Sequence, residues 1–282
     1  MKKYFYGICI VLIVITGGCN LYLHADFSKS AMSFPEELDQ KGCLGLTYHR
    51  VRKHNFFNKT VEFLTGTDEL TVYNVYEDVF KKQIKILKKQ KAVFLNPDEI
   101  RKAQETGKFP EKCVWVSFDD IDISMYENAF PILKENDIPF TLFVIAGHVG
   151  RDFDNLQLTS WDQLQEMVNS GLATVGSHTF DMHKLVGEKP IFFVESNLHA
   201  FENDLLLSKK TIEKNLGVQV EDFAYPYGNG KDELAAVIQR SGFKSASILA
   251  PRSITLNNDA YWMNRILVND EVFKKIVTKW ID

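Results

Sequence analysis

The chain is poor in cysteine, with four in 282 residues, and it has no apolar run of bilayer-spanning length. So few cysteines cannot build the disulfide framework that holds together many small secreted domains. It also lacks excess charge of either sign. A net charge of -4 and a pI near 6.0 leave no electrostatic footprint for nucleic acid. Neither a fixed-period repeat nor a low-complexity tract is visible, which excludes solenoids and disordered scaffolds. What is present is a large apolar fraction, 45%, enough for one full-sized domain or two small ones.

At the N-terminus, Lys2 and Lys3 precede an apolar stretch from Tyr4 to Ile15, followed by Thr16-Gly17-Gly18-Cys19. A charged start, a short apolar centre and small residues before a cut site describe a secretory signal over 1–18. The stretch is shorter than the roughly 20 residues of a spanning helix. Small-small-Cys after it resembles a lipoprotein cleavage site, with Cys19 as the lipidated first residue. Thr16 stands where that motif usually has Leu, and ordinary secretion is the alternative. Residues 19–41 read as a tether.

From residue 42 onward, short apolar runs alternate with amphipathic segments. Strands are predicted at 44–50, 92–95, 114–119, 140–146, 173–177, 222–225, 245–249 and 265–268. Helices are predicted at 75–91, 125–136, 161–169, 202–215, 231–240 and 270–280. Gly171, Gly217 and Gly242 each follow a helical pattern, where a C-terminal cap belongs. Strands apolar on both faces imply a parallel sheet covered by helices. Seven or eight such units predict an α/β barrel, with an open doubly wound sheet as the alternative. Residues 53–74 interrupt the first strand-to-helix connection. They contain Phe56, Phe57, Val61, Phe63 and Leu64, which either pack on the barrel or form a patch that touches membrane or polymer.

Chemistry-bearing residues cluster at predicted strand ends. Val114-Trp115-Val116-Ser117-Phe118 leads into Asp119-Asp120, and in a parallel β/α fold that end opens on the active-site face. Adjacent residues point to opposite sides, so one carboxylate can bind a metal while its neighbour faces the substrate. An isolated Asp pair would equally cap the next helix. His178 and His183 follow the strand at 173–177, five residues apart, which suits a loop with converging ends rather than one helix face. Two His and one Asp leave coordination positions for water and a substrate carbonyl. Such a site needs a base and an acid. Asp119 is the free carboxylate nearest the ligands, and His49 ends the first strand on the same face. In Ala224-Tyr225-Pro226-Tyr227-Gly228, the Pro and Gly fix a turn that either aims the Tyr227 N–H into the pocket as an oxyanion donor or is an ordinary strand-end turn with a stacked Tyr.

Cys43 and Cys113 each lie six residues before a catalytic candidate, His49 or Asp119, at the far ends of their strands. The strand at 92–95 is expected between them. Adjacent strands are about 4.8 Å apart, so next-but-one strands exceed disulfide reach. Two buried free thiols are expected.

Together these residues resemble the polysaccharide deacetylases of carbohydrate esterase family 4, the NodB-homology group. Ser117-Phe118-Asp119-Asp120, His178-Thr179 through His183, and Tyr225-Pro226-Tyr227-Gly228 are similar to that family's motifs. The longer histidine spacing and the early Tyr48-His49-Arg50 resemble its circularly permuted branch, the biofilm poly-β-1,6-N-acetyl-D-glucosamine N-deacetylases. Tyr126 to Lys134, Gly147-His148-Val149-Gly150 and Asn264-Arg265-Ile266-Leu267-Val268 are similar to it as well. The resemblance spans about residues 42–282 and implies a distorted barrel. It implies Asp120, His178 and His183 as metal ligands, Asp119 as base, His49 as acid and Tyr227 as oxyanion donor. Tyr225 and Arg265 join the oxyanion and substrate side. The wider family's Arg falls at Ala224, so the cation beside Asp119 must come from elsewhere, with Arg265 a candidate by fold analogy. The metal expected is Zn²⁺, with Co²⁺ or Ni²⁺ as substitutes. The partners expected are a polysaccharide and, through the lipid, a membrane, for a monomer at the cell surface. Peptidoglycan or chitin is the alternative substrate, and a catalytically idle polysaccharide-binding surface protein the non-enzymatic reading.

Overall fold

The apolar runs form parallel strands, and the first and third of the main sheet close it. A computed structural model describes residues 34–35, 37–54 and 72–282. Its main sheet contains β1 (Cys43–Tyr48), β2 (Val93–Phe94), β3 (Cys113–Asp120), β4 (Phe140–Val144), β5 (Ala173–Ser177), β6 (Asp222–Ala224), β7 (Ser245–Leu249) and β8 (Met263–Leu267). Seven strands follow the order β1-β8-β7-β6-β5-β4-β3, and β3 pairs back onto β1 to complete a barrel. β2 stays outside the ring, paired with β3 at Val93↔Cys113 and Phe94↔Val114.

That placement overturns the expectation of free thiols. With the strand at 92–95 outside, β1 and β3 are neighbours and Cys43 faces Cys113 in register. Their Cα atoms are 4.6 Å apart and the sulfurs form a disulfide. It ties the closing seam at the end of the barrel away from the Asp pair.

Alternation along the strands divides the molecule into an inside and an outside. Leu44, Leu46, Tyr48, Val114, Val116 and Phe118 share an apolar cluster with Phe80, Ile84 and Leu87 of α1 (Glu77–Lys89). The intervening positions Cys43, Cys113 and Trp115 join Phe143, Ala224 and Met263 in a second cluster within the ring. α2 (Pro97–Thr106) closes the far end of the ring, where its Ile100 and Ala103 join that second cluster and Arg101 bonds Asp222 and Ser245 at the starts of β6 and β7. The outer layer continues with α3 (Phe130–Glu135), α4 (Trp161–Asn169), α5 (Leu198–Leu216) and α6 (Asp232–Arg240). Chain stiffness and right-handed crossovers place α3, α4, α5 and α6 on the outer face. No helix among the described residues is long and apolar enough to cross a membrane.

Helix α2 has no counterpart among the predicted elements. Its apolar stripe is thin, with Pro97, Ile100 and Ala103 buried, so periodicity is weak. The end signals were strong: Asn96 and Glu99 form a reciprocal capping box, Pro97 occupies the first turn and Gly107 closes the helix at φ 75°.

The first strand also ends early, at Tyr48 rather than residue 50. Arg50–Arg52 leave the barrel and pair in parallel with Asn74–Tyr76, so the two ends of the 53–74 interruption lie side by side. Residues 55–71, with Phe56, Phe57, Val61, Phe63 and Leu64, lie outside the described residues. So do the signal at 1–18, Cys19 and most of the tether. The last tether residues contact the barrel: Trp280 Nε1 and Ser253 Oγ each donate to the Asp39 carbonyl at 3.0 Å.

Candidate active site

All the C-terminal strand ends of a parallel barrel open on one face, so residues far apart in sequence meet there. Asp120 ends β3, His178 follows β5 directly, and His183 returns from the loop after it. Ligand atoms of these three residues lie within 4.8 Å of one another. The Asp120 Oδ1 atom is 3.5 Å from His178 Nε2 and 3.4 Å from His183 Nε2. It is buried and has no hydrogen-bond partner among the described residues. Asp120 holds φ 65°, a left-handed conformation that costs energy for a side-chain-bearing residue.

His178 is prepared as a neutral ligand. His178 shares a 2.8 Å hydrogen bond between Nδ1 and the Ala224 carbonyl, which can only accept. Nδ1 therefore carries the proton and Nε2 presents its lone pair to the cluster. Burial drives the His178 pKa down to about 4, against the pull of Asp119 and Asp120. His183 sits between the rings of Phe153 and Tyr227, with centroids 5.9 and 4.7 Å away. The orphaned carboxylate oxygen, two facing imidazoles and N/O donor chemistry fit a divalent transition metal.

Asp119 serves a different partner. Arg265 Nη1 donates to its Oδ1 at 2.6 Å and Nη2 to its Oδ2 at 2.9 Å. Burial would raise the Asp119 pKa, but Arg265, His178 and His49 outweigh it and bring it to about 2. Room for the guanidinium stem comes from Gly45 on β1, where an added Cβ would lie 3.2 Å from Arg265 Cγ and 2.6 Å from the Asn264 carbonyl. Nη1 also donates to Thr47 Oγ1 and Ser117 Oγ, inward-facing hydroxyls of β1 and β3.

Arg265 thus corrects one expectation and bears on another. Grouped with the oxyanion and substrate side, it is fully buried beneath Asp119 instead. The same geometry makes it the carboxylate's cation where Ala224 replaces the wider family's Arg. Tyr225, expected on the substrate side, is also fully buried, its ring stacked on Trp262. Its side chain points to the outer layer, because β6 alternates and its neighbour Ala224 faces in.

His49 lies just past β1 with 9% of its surface exposed, and its ring packs edge-on to Tyr73 at 4.9 Å. Burial lowers its pKa, while Asp120 and Asp119 pull it up. His49 follows β1 at the end of the barrel where the cluster sits. Tyr227 holds φ 62° in the turn after β6. The turn is tight because Gly228 packs on Leu249, whose Cγ would be 2.4 Å from an added Cβ.

Two neighbours escaped the sequence reading. Tyr73 is reached only by the return of the interrupted connection, and no local pattern marks it. His148 pairs through Nε2 with Asp181 Oδ1 at 2.5 Å, joining the loop after β4 to the loop between His178 and His183. The Gly147-His148-Val149-Gly150 segment carried the resemblance but no role.

Comparison with known proteins agrees with this geometry. The polysaccharide deacetylase family model matches residues 106–246. A poly-β-1,6-N-acetyl-D-glucosamine N-deacetylase of Staphylococcus aureus is 39% identical over 249 residues, covering 87% of this chain and 86% of that protein. The Staphylococcus epidermidis protein of the same name is 35% identical over 280 residues, covering 99% and 96%. Among solved structures, IcaB from Ammonifex degensii superposes with a TM-score of 0.75 at 32% identity, covering 87% of this chain and 99% of that one. With a closed barrel, an Asp-His-His cluster at its open end and relatives matched over nearly their whole length, the chain belongs to the polysaccharide deacetylases, a family of metal-dependent hydrolases.

Proposed function

We propose that the protein removes acetyl groups from N-acetylglucosamine units of poly-β-1,6-N-acetyl-D-glucosamine, an extracellular polymer of biofilms. The observation that carries this reading is the convergence of Asp120, His178 and His183 beside an Arg265-paired Asp119. The printed names of the staphylococcal relatives supply the polymer.

Asp120, His178 and His183 would hold one divalent ion, Zn²⁺ by ligand type, with Co²⁺ or Ni²⁺ as substitutes. When bound, such an ion lowers the pKa of water and polarises a carbonyl. Asp119 is the base that takes the proton from the attacking water. Arg265 uses one lone pair on each of its oxygens, so each keeps acceptor capacity. The Tyr227 N–H donates to the oxygen that gains charge. His49 protonates the leaving nitrogen, the C–N bond breaks, and acetate departs from a free amine. Burial lowers the His49 pKa and so depopulates the protonated form, and the neighbouring Asp120 and Asp119 carboxylates oppose that shift.

The substrate test is release of free amines from poly-β-1,6-N-acetyl-D-glucosamine against chitin oligomers and peptidoglycan, with and without chelator. Chelator-sensitive release from the β-1,6 polymer is expected. Faster release from chitin or peptidoglycan would move the substrate, and polymer binding without release would mean an idle surface protein.

His49→Ala should lower kcat on the amide by about 10²–10⁴-fold with metal content intact. An activated ester, whose leaving group departs unprotonated, should lose far less. Equal losses on both substrates would give His49 another role, such as positioning the sugar.

Cys19 is the site of the lipid anchor in this reading, holding the enzyme at the outer face of the membrane. Cys19→Ala should leave the precursor uncut or misplaced. Wild-type protein found wholly in the medium, with an N-terminus beyond residue 19, would mean ordinary secretion.

A further inference from the structure

Helix α5 contributes no residue to the cluster, yet it carries an acid on its buried stripe. Phe201, Leu205, Ser208, Ile212 and Leu216 face the core at helical spacing, and Asp204 is buried among them. A carboxylate in that position requires donors. They come from the loop that links the two candidate histidine ligands. Asp204 Oδ1 accepts from the Phe180 N–H at 2.7 Å and Oδ2 from the Asp181 N–H at 2.8 Å. Consecutive amides between His178 and His183 therefore converge on one side chain.

Ser208, one turn further along α5, supports the start of the same loop. It shares a 2.7 Å hydrogen bond with Ser177 Oγ, which accepts from the Thr179 N–H. On the opposite side, Ala146 N donates to the Thr179 carbonyl and Gly147 N to the Phe180 carbonyl. Those carbonyl contacts hold the loop against the segment that follows β4, while its amides point toward Asp204. Thr179 sits at φ 78°, so the loop departs from regular backbone between its ends and depends on outside partners for shape.

We propose that Asp204 is a positioning residue for the metal: it fixes the backbone of 180–181 and so holds His183 at the distance from His178 and Asp120 that coordination requires. This rests on the reading of those three residues as ligands. Groups that orient metal ligands from behind typically change affinity by about 10–100-fold when removed. Asn at this position keeps one acceptor and turns an NH₂ group toward an N–H donor, so the loop loses at least one of its two anchors.

The test is Zn²⁺ affinity, measured by competition with a chromophoric chelator, and the visible spectrum of the Co²⁺-loaded protein. Wild type, Asp204→Asn, His183→Ala and Ile212→Val are compared. Ile212→Val disturbs the same buried stripe away from the loop and serves as the packing control. Asp204→Asn should bind about tenfold or more weakly and show an altered Co²⁺ spectrum. Ile212→Val should match wild type in both. If Asp204→Asn does not accumulate folded, Asp204→Ser replaces it with the same expectation. Wild-type affinity and spectrum in the Asp204 variant, or an equal loss in Ile212→Val, would overturn the positioning role alone. A wild-type protein without bound metal, or His183→Ala binding as tightly as wild type, would instead overturn the ligand assignment beneath it.

Discussion

Asp119→Asn should cut kcat by about 10²–10⁴-fold and still leave one divalent ion bound, because in the proposed roles it removes a base and no ligand. Asp120→Asn should do the opposite in elemental analysis, losing the ion along with the activity. The two residues are adjacent, equally buried and equally acidic in type, so only their partners separate them. Both oxygens of Asp119 meet Arg265, whereas Asp120 Oδ1 faces His178 and His183 and has no hydrogen bond. Metal retained in Asp120→Asn and lost in Asp119→Asn would exchange the two roles.

Arg265→Ala should be the most destabilising of these substitutions. It would leave the Asp119 carboxylate buried with its counter-ion gone, a change that typically costs about 3–5 kcal/mol. The denaturant midpoint measures it. Arg265→Met combined with Asp119→Asn removes both charges and should recover much of the stability while activity stays lost. If the single and double variants unfold at the same midpoint, the buried charge is not what matters.

The pair also sets an acid limit. Asp119 falls from 3.8 to about 2 in the folded state, so its contribution is fully present above pH 3.8 and is lost as pH drops toward 2. In Arg265→Ala the counter-ion that depresses this pKa is missing. Acid unfolding should therefore begin at higher pH, as a circular dichroism titration would read.

Much of the site was legible because parallel β/α folds gather chemistry at strand ends. Asp120, His178 and Tyr227 all lie at or just past such an end, and apolar runs locate those ends by local burial alone. Arg265 was legible as a cation and not as a neighbour. It sits inside β8, and its contact with Asp119 spans 146 residues. Asp204 was hidden for a related reason: helical periodicity marks where a side chain faces, not which loop amides it meets there. Helix α2 was missed by giving apolar spacing more weight than its caps.

Composition and pattern by themselves determined a parallel α/β fold, barrel or open sheet, with carboxylates and imidazoles at strand ends, since burial and strand alternation are local properties of the chain. Strand order was decided only by the tertiary structure. A two-residue strand can pair inside the ring or outside it without altering a single local preference. Its place outside brings β1 against β3. From that one choice follow the Cys43–Cys113 disulfide and the closed seam. The Arg265–Asp119 pair depends likewise on closure, because inward side chains meet across a ring only when its circumference is complete.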